Sequence, residues 1–450
     1  MQIEIVRGDT VLDSKALTKI QSVVLIAIIA VAAVAGSVAY VLWSGPAQST
    51  ETIRIGVCAD LDNTYGKTVW RGALLAAEQI NEQGGVLGRN LTVVGEDDDS
   101  ETPPGDIAVA TNALTKLITV DKADYVTSPQ SVNVQVYQEI CAEHQKIFFS
   151  TGSNNDNDTQ RVLDNYGKYK YFFRVFSPNA TSNIDGMCDS LRTVKNYTGF
   201  NKVALLVENI LFLSQVAAGI KKLLSDYGFE VVYYNTFPPG TTDFTGYYAA
   251  IEASGAQILN PLVISQSCFS LVKEYYGRQS PFVMWGVIGL AEMSEFWELT
   301  DEKCEFISFF GSPVISGYPW TNKTMPTREA YLQRWGDVPG VVATATYDVV
   351  RFILPDAIKR AGITETQAVI KALETTDVET SMARHFVFTS SHDILIGLVG
   401  PNVPSADYTL VFQWQNGTQV PVYPKQLMEE AGANYKYPDW TGPWDHKQTP

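Results

Sequence analysis

The sequence predicts an α/β protein of two doubly wound parallel-sheet lobes, preceded by one transmembrane helix. Short β-branched strands alternate with amphipathic helices along most of the chain, an order typical of parallel sheets covered by helices. At 450 residues and 45% apolar content, the chain can bury two sizeable cores. An uncharged apolar run from Ser22 to Trp43 precedes the first strand and accounts for the predicted membrane helix.

The first predicted βαβ unit lies between Ile53 and Val94. The strand Ile53 to Cys58 is short and β-branched, and a polar loop follows it. Between Thr68 and Gln83 apolar residues recur at three- and four-residue steps, which predicts a helix with one buried face. Gly84-Gly85 ends this helix because glycine adopts the left-handed conformation without steric cost, and Leu91 to Val94 forms the next strand.

The remaining elements keep the same alternation. Amphipathic spacing predicts helices over 107–118, 133–144, 184–192, 214–227, 247–254, 328–335 and 345–361. Apolar or alternating runs predict strands over 123–127, 146–150, 172–175, 203–207, 230–234, 261–264 and 408–414. In sheets of this kind ligands bind beyond the carboxyl ends of the strands.

The run from Ser22 to Trp43 is predicted to anchor the protein in the membrane. Its length matches the roughly 20 apolar residues that span a bilayer. Lys15 and Lys19 precede it, and the next basic residue is Arg54. The positive-inside rule therefore places the N-terminus in the cytoplasm and the bulk of the chain outside the cell.

A cleaved signal peptide is the alternative interpretation of this segment. Ala33-Val34-Ala35 resembles a signal-peptidase site, so processing before Gly36 would release the chain from the membrane.

Composition excludes several classes of function. The net charge of -16 and the absence of a Lys/Arg cluster argue against nucleic-acid binding, which requires a basic surface. The acidic run Glu96 to Glu101 lacks the alternating spacing of a calcium loop and is interpreted as a solvated strand end. The five cysteines are widely separated, which favours buried apolar roles; a Cys188–Cys304 disulfide is the alternative.

No catalytic motif is present in the sequence. It contains no nucleophile elbow, phosphate-binding loop or zinc-protease motif, and the four histidines are scattered. We therefore expect a protein that is not an enzyme and that uses no cofactor or metal.

Several short motifs recur in order along the chain: Arg71-Gly72-Ala73, Ala76-Ala77, Ile80-Asn81, Gly84 to Arg89, Phe173-Arg174, Thr242-Asp243-Phe244 and Tyr347-Asp348. Over roughly residues 52 to 440 they resemble the type I periplasmic binding proteins, specifically the branched-chain amino-acid (Leu/Ile/Val-binding) family of ABC-transporter solute-binding proteins. The resemblance implies two lobes joined by a hinge that close on a small solute and deliver it to permease subunits. A sensory-receptor ectodomain is the alternative, although only about 20 residues precede the predicted anchor.

The expected division of the chain follows this resemblance. The chain should cross back to lobe one around Phe306 and return to lobe two after Met382. The predicted segments are a cytoplasmic stretch 1–21, an anchor or signal segment 22–43, a tether 44–51, lobe one at 52–176 plus 306–382, and lobe two at 177–305 plus 383–450.

The resemblance also places ligand contacts in the loops at the strand ends. Tyr65 would set an aromatic wall against the ligand. Ser131 precedes a predicted helix, whose free N–H groups attract anionic or polar groups. The Ser153 backbone and the Asn154 side chain would face the cleft from lobe one. Lobe two would contribute Glu208 and Phe212.

Two positions depart from the pattern of the family. The acids that receive a ligand ammonium in the family correspond to Asn179 and Ile288 here. A buried ammonium needs an opposite charge, so a standard α-amino-acid clamp is in question. Asp60, Asp62 or Glu208 could substitute for the missing acids. Otherwise a carboxylate or amide ligand without an α-amine is expected.

Asn-X-Ser/Thr sequons are permissible on an exported chain, although the motif alone is weak evidence. They occur at Asn90, Asn157, Asn179, Asn196, Asn322 and Asn416. Asn179 should be exempt, because a glycan there would block the cleft.

Overall fold

The computed structural model describes residues 51–99, 106–129, 133–395 and 409–441. The predicted anchor 22–43 and the predicted site residue Ser131 lie outside this part of the chain. Within the described ranges, no helix combines the length and the apolar character needed to cross a bilayer.

A five-stranded parallel sheet forms the first lobe, and it confirms the predicted alternation of strands and helices. Its strands are Ile53–Ala59 (β1), Leu91–Asp97 (β2), Tyr125–Ser128 (β3), Ile147–Ser150 (β4) and Phe172–Arg174 (β5), in the spatial order β2-β1-β3-β4-β5. The connecting helices are Thr64–Glu82 (α1), Ile107–Thr119 (α2), Val134–Glu143 (α3), Asp156–Asp164 (α4) and Tyr166–Tyr169 (α5). The strand ends therefore share one edge of the sheet.

Helix α1 begins earlier than the predicted Thr68. The Asn63 side chain accepts a hydrogen bond from the Gly66 N–H at 2.9 Å and so caps the helix. A Cβ on Gly66 would lie 1.8 Å from the Asp60 carbonyl oxygen, so only glycine allows the loop after β1 to fold back.

The second lobe begins with five further parallel strands. They are Lys202–Glu208 (β6), Glu230–Phe237 (β7), Ile258–Val263 (β8), Val283–Ile288 (β9) and Ser308–Phe310 (β10). The helices are Ala180–Thr198 (α6), Leu211–Leu223 (α7), Thr245–Ala253 (α8), Ser267–Arg278 (α9) and Phe296–Leu299 (α10). The sequence analysis missed α9 and β9. β9 is an apolar run without a periodicity that distinguishes a strand from a buried helix, whereas the helical spacing of α9 was overlooked.

The chain then runs back along the first lobe. Its elements are Pro313–Ser316 (α11), Thr324–Trp335 (α12), Val341–Asp348 (α13), Leu354–Ala361 (α14), Thr366–Leu373 (α15), Asp377–Val378 (β11) and Phe386–Val387 (β12), with a π-helical stretch Val349–Ile353 between α13 and α14. Helix α13 packs tightly on α1: a Cβ on Gly72 would lie 2.5 Å from the Ala343 carbonyl oxygen.

The last described elements complete the second sheet. They are Val411–Gln415 (β13), Thr418–Tyr423 (β14) and Lys425–Glu430 (α16). The sheet has the order β14-β13-β10-β9-β8-β6-β7, and β13 and β14 are antiparallel additions at one side.

Residues just after each expected crossing pack with the lobe that the chain was predicted to have left. Residues 308–310 still pair with β9, so the crossing follows β10 and does not occur at Phe306. Phe386, Phe388 and Ile394 pack into the first core, with the Phe388 ring centroid 5.0 Å from that of Phe173. The residues just after Met382 therefore belong with the first sheet, because their aromatic side chains are buried there.

The cysteines are all free and buried. Cys188 lies in one core cluster of the second lobe and Cys304 in another, so the alternative of a disulfide between them is wrong. The buried apolar role predicted for most of the cysteines is confirmed.

Candidate functional site

The loops after β3 and β4 form a compact platform at the carboxyl edge of the first sheet. A Cβ on Gly152 would lie 1.8 Å from the Pro129 carbonyl oxygen, so the two loops touch backbone to backbone. The Thr151 N–H donates to the Ser128 carbonyl at 3.0 Å and fixes the same contact. This packing positions the following residues, Ser153 and Asn154.

Ser153 and Asn154 have different environments. Ser153 is fully buried, and its hydroxyl donates to Oδ2 of Asp158 at 2.5 Å. Burial raises the pKa of Asp158, although the Ser153 hydroxyl opposes the shift. Asn154 is partly exposed, and its backbone carbonyl accepts from the Ala180 N–H at 2.7 Å. Within the described residues no hydrogen bond of its side-chain amide is found.

A buried ion pair supports this platform. Arg174 is fully buried at the end of β5, and its Nε lies 3.0 Å from Oδ1 of Asp393. The same guanidinium donates to the Ser153 carbonyl at 3.0 Å and to the Asn155 carbonyl at 2.8 Å. The sequence analysis missed Asp393. The signal available was a lone arginine at the end of an apolar strand, which needs a buried acid.

Asn179 joins this network from the start of α6. Its Oδ1 accepts from the Ser182 N–H at 2.8 Å and caps the helix, while its Nδ2 donates to Oδ2 of Asp393 at 3.1 Å. Burial raises the pKa of Asp393, and the Arg174 guanidinium opposes that shift. With the hydrogen bonds from Thr159 and the Ile394 N–H, both Asp393 oxygens are occupied. Asp393 therefore does not present a free carboxylate in place of the acid missing at Asn179.

Glu208 is turned toward a neighbouring loop of the second lobe. It is fully buried at the end of β6, and its Oε2 accepts from the backbone N–H groups of Ile264 at 2.9 Å and Ser265 at 3.1 Å. The Ser265 hydroxyl donates to Oε1. The predicted contact of Glu208 with a ligand stays a prediction. In the structure its carboxylate fixes the loop after β8.

Large apolar side chains are exposed at the same edge of the second sheet. Leu211 is 76% exposed, Phe212 47% and Ile264 42%, and Met293 is also exposed beyond β9. On the first lobe, Tyr65 is exposed in the first turn of α1. Each of these side chains follows the carboxyl end of a strand, the edge at which ligands bind in sheets of this kind.

Of the other predicted positions, Ile288 and Asp60 are buried and Asp62 is exposed. Ile288, the last residue of β9, is fully buried in an apolar core cluster of the second lobe. Asp60 is nearly buried, with Oδ1 accepting from the Asn63 N–H at 3.2 Å, whereas Asp62 is exposed. Across the described ranges, no three His, Cys, Asp or Glu side chains come together as a metal site.

These features define a class of protein: a two-lobed α/β binding protein with a polar platform on one lobe and an apolar surface on the other. The chain belongs to the periplasmic binding protein family, whose model matches residues 52–396.

Curated relatives and solved structures agree with this membership. Over 398 residues the chain is 23% identical to Leu/Ile/Val-binding protein homolog 7 of Brucella abortus (strain 2308), covering 85% of this chain and 94% of the relative. A putative branched-chain amino acid ABC transporter from Silicibacter pomeroyi matches with a TM-score of 0.73 and 17% identity, over 87% of this chain and 100% of the other. A solute-binding protein from R. palustris in complex with benzoate matches with a TM-score of 0.59 and 16% identity, over 83% and 96%. The solved structures establish the shared fold.

Proposed function

We propose that this protein is an extracellular solute-binding protein that captures a small solute between its two lobes and delivers it to the permease subunits of an ABC-type importer. The observation that carries the proposal is the pair of surfaces at the carboxyl ends of the sheets, with Asn154 on one lobe and Phe212 on the other open to a ligand. The family membership and the named relatives support a binding protein in preference to an enzyme. The predicted segment 22–43 would hold the chain at the outer face of the membrane.

Binding would proceed by closure of the lobes. A ligand that contacts both surfaces stabilises the closed arrangement by its difference in affinity for the closed and open states. The network of Arg174, Asp393 and Asn179 joins the first lobe to the start of α6, so it would keep the hinge end of the site fixed during closure.

The ligand we propose has a carboxylate or amide group, an apolar body and no free α-amine. Asn154 would bind the polar group, and Leu211, Phe212 and Ile264 would contact the apolar part. Glu208 and Asp393 are both engaged within the protein, which disfavours a bound ammonium. The benzoate-bound R. palustris protein, similar in fold, holds a carboxylate ligand of this kind.

An amino-acid ligand is the alternative, supported by the Leu/Ile/Val-binding relatives. Asp60 or Asp62 would then receive the ammonium.

Calorimetric titration of single variants tests this site. Asn154→Ala, Phe212→Ala and Ser131→Ala should each weaken binding by about 1 to 3 kcal/mol without unfolding the protein. Tyr234→Ala is the matched control, because Tyr234 is an exposed aromatic residue on β7 within the strand and not at its carboxyl end. Unchanged affinity in all three variants would place the site elsewhere.

The sensory ectodomain of the same fold is distinguished by its partner. Co-purification of permease subunits with the ligand-loaded protein supports the importer, whereas co-purification of a signalling protein alone supports the receptor.

A further inference from the structure

Two surface cavities of this protein are each lined by the asparagine of a sequon. A cavity of about 610 Å³, here called the hinge cavity, is lined by Asn322 together with Trp320, Glu379 and Arg384. A second cavity of about 330 Å³, on lobe two, is lined by Asn196. The two observations are independent, since the sequon is a local sequence pattern and the cavity depends on tertiary packing.

We propose that Asn196 and Asn322 carry N-linked oligosaccharides, and that the first sugar of each lies in the adjoining cavity. Both asparagines are exposed. The proposal rests on the extracellular location in the proposed function, because the transferases that attach such glycans act on exported chains. The group transferred is an oligosaccharide carried on a lipid phosphate or pyrophosphate.

The transfer step is a substitution at the anomeric carbon of that sugar. Nδ2 of the asparagine forms a bond to C1, the bond from C1 to the phosphate oxygen breaks, and the lipid phosphate leaves with the bonding electrons. The amide loses one proton to a base of the transferase and keeps the other. At Asn322 that remaining N–H can still donate to Oε1 of Glu379, which the amide contacts at 3.4 Å.

The hinge cavity has the chemistry that a sugar requires. Pro319, Met325 and Pro326 provide apolar walls for the C–H face of a sugar ring. Glu379 and Arg384 provide hydrogen-bonding groups for its hydroxyls. Because the cavity is bounded by two chain segments, 319–326 and 379–385, a sugar that fills it would hold those segments together.

The second cavity is lined by charged and aromatic side chains. Arg192, Lys195 and Asp226 line it, and Tyr227 provides an aromatic wall. These groups likewise suit the polar edge and the apolar face of one sugar.

Attachment must precede folding of the Asn322 segment. Thr324 supplies the sequon hydroxyl, yet it is fully buried and donates to the Ser381 carbonyl at 2.8 Å. A transferase can reach this hydroxyl only on a chain that has not yet folded.

Folded protein should carry no sugar on Asn179, because a chain modified there before folding could not form the contacts of this side chain. Asn179 is partly buried, and its amide both caps α6 and donates to the buried Asp393. A glycan there would displace a group that supports the site.

Glycopeptide mass spectrometry of the full chain purified from its own organism tests the proposal. Sugar on the Asn196 and Asn322 peptides, with the Asn179 peptide unmodified, supports it. Unmodified Asn196 and Asn322 on protein recovered from the outer face of the membrane overturn it and leave the proposed function intact. Recovery of the protein from the cytoplasm overturns both.

Two variants test the role of the hinge cavity. In the native host, Asn322→Gln should lower the melting temperature by about 2 °C or more. Asn157→Gln should not, because the sequon residue Asn157 is exposed in α4 and lines neither of the two cavities. In a host without the transferase, neither substitution should alter the melting temperature. An equal loss for Asn322→Gln in both hosts would assign the effect to the amide and overturn the role of the sugar.

Discussion

Asn179 donates its side-chain amide to Oδ2 of Asp393 at 3.1 Å, while Oδ1 of Asp393 lies 3.0 Å from Nε of the buried Arg174. The position that the resemblance matches to an ammonium acceptor of the family is thus neutral here, and the adjacent acid is paired with an arginine. The same contacts connect the first lobe to α6, so the network that lacks a free negative charge also holds the site together.

Removing the acid from this ion pair should destabilise the protein strongly. We expect Asp393→Asn to lower the free energy of unfolding by about 3 to 5 kcal/mol, because Arg174 would remain buried without a counter-charge. Urea denaturation measures the change. Asp377→Asn is the control, since Asp377 is exposed and pairs with the exposed His385, and it should change the free energy by less than about 0.5 kcal/mol. Equal effects of the two substitutions would contradict this account.

The Arg174–Asp393 pair shows where sequence reasoning ends. The alternation of strands and helices is a local pattern, so the parallel sheets and the βαβ unit at Ile53 could be predicted. The partner of Arg174 is distant in the chain and follows only from tertiary packing. Phe386 and Phe388 likewise join the first core because aromatic partners are available there, which no local period indicates.

The predicted site residues show the same limit of sequence reasoning. A side chain just after a strand can point toward the ligand or toward the next loop, and its sequence position is the same in both cases. Asn154 is partly exposed, whereas Glu208 is turned to the backbone of residues 264 and 265. Ile288 lies at the end of an almost fully buried strand, so apolar burial explains that residue without reference to a ligand.

Glu208→Gln should both weaken ligand binding and lower the stability of the second lobe. The carboxylate accepts hydrogen bonds from two backbone N–H groups and one hydroxyl, and an amide can place only one oxygen among these donors. We expect a loss of about 1 to 3 kcal/mol in stability and a lower affinity, because the loop bearing Ile264 loses its support. Thermal denaturation and titration measure the two effects. Glu298→Gln, an exposed substitution in α10, serves as the control and should leave both unchanged.

Glu292 should make stability depend on pH. Burial raises the pKa of Glu292 from its ordinary 4.5 to about 7, although the Ser312 N–H donates to its Oε2 at 2.9 Å and opposes the shift. Below about pH 4.5 both folded and unfolded chains carry this proton. Between about 4.5 and 7 the unfolded chain releases it first, so stability falls as pH rises and then levels off.

The variant Glu292→Gln isolates this effect. A neutral amide resembles the protonated acid and can still accept from the Ser312 N–H, so the variant should exceed the wild type in stability at pH 8 and match it at pH 4. Denaturant titrations at the two pH values provide the measurement. A difference between variant and wild type that does not change with pH would show that this carboxyl does not titrate as described.

The predicted anchor 22–43 has a direct test in the full chain. If the segment is retained, the mature protein should stay with the membrane after a high-salt wash and keep its N-terminal residues in mass spectrometry. A soluble form that begins near Gly36 would instead identify a cleaved signal peptide.

The class of ligand follows from the carboxylates near the site, because these are already paired with groups of the protein itself. An α-amine bound near Asn179 would meet a neutral amide and an acid paired with Arg174, and its desolvation would cost about several kcal/mol. A ligand at a hundred times its dissociation constant adds about 2.7 kcal/mol to stability, which a thermal-shift screen detects. Leucine, isoleucine and valine should therefore raise the melting temperature less than the oxo- or hydroxy-acids of the same carbon skeleton. The reverse ranking would mean that Asp60 or Asp62 receives the ammonium, and Asp62→Asn, an exposed substitution beyond β1, should then abolish the preference if Asp62 is the acceptor.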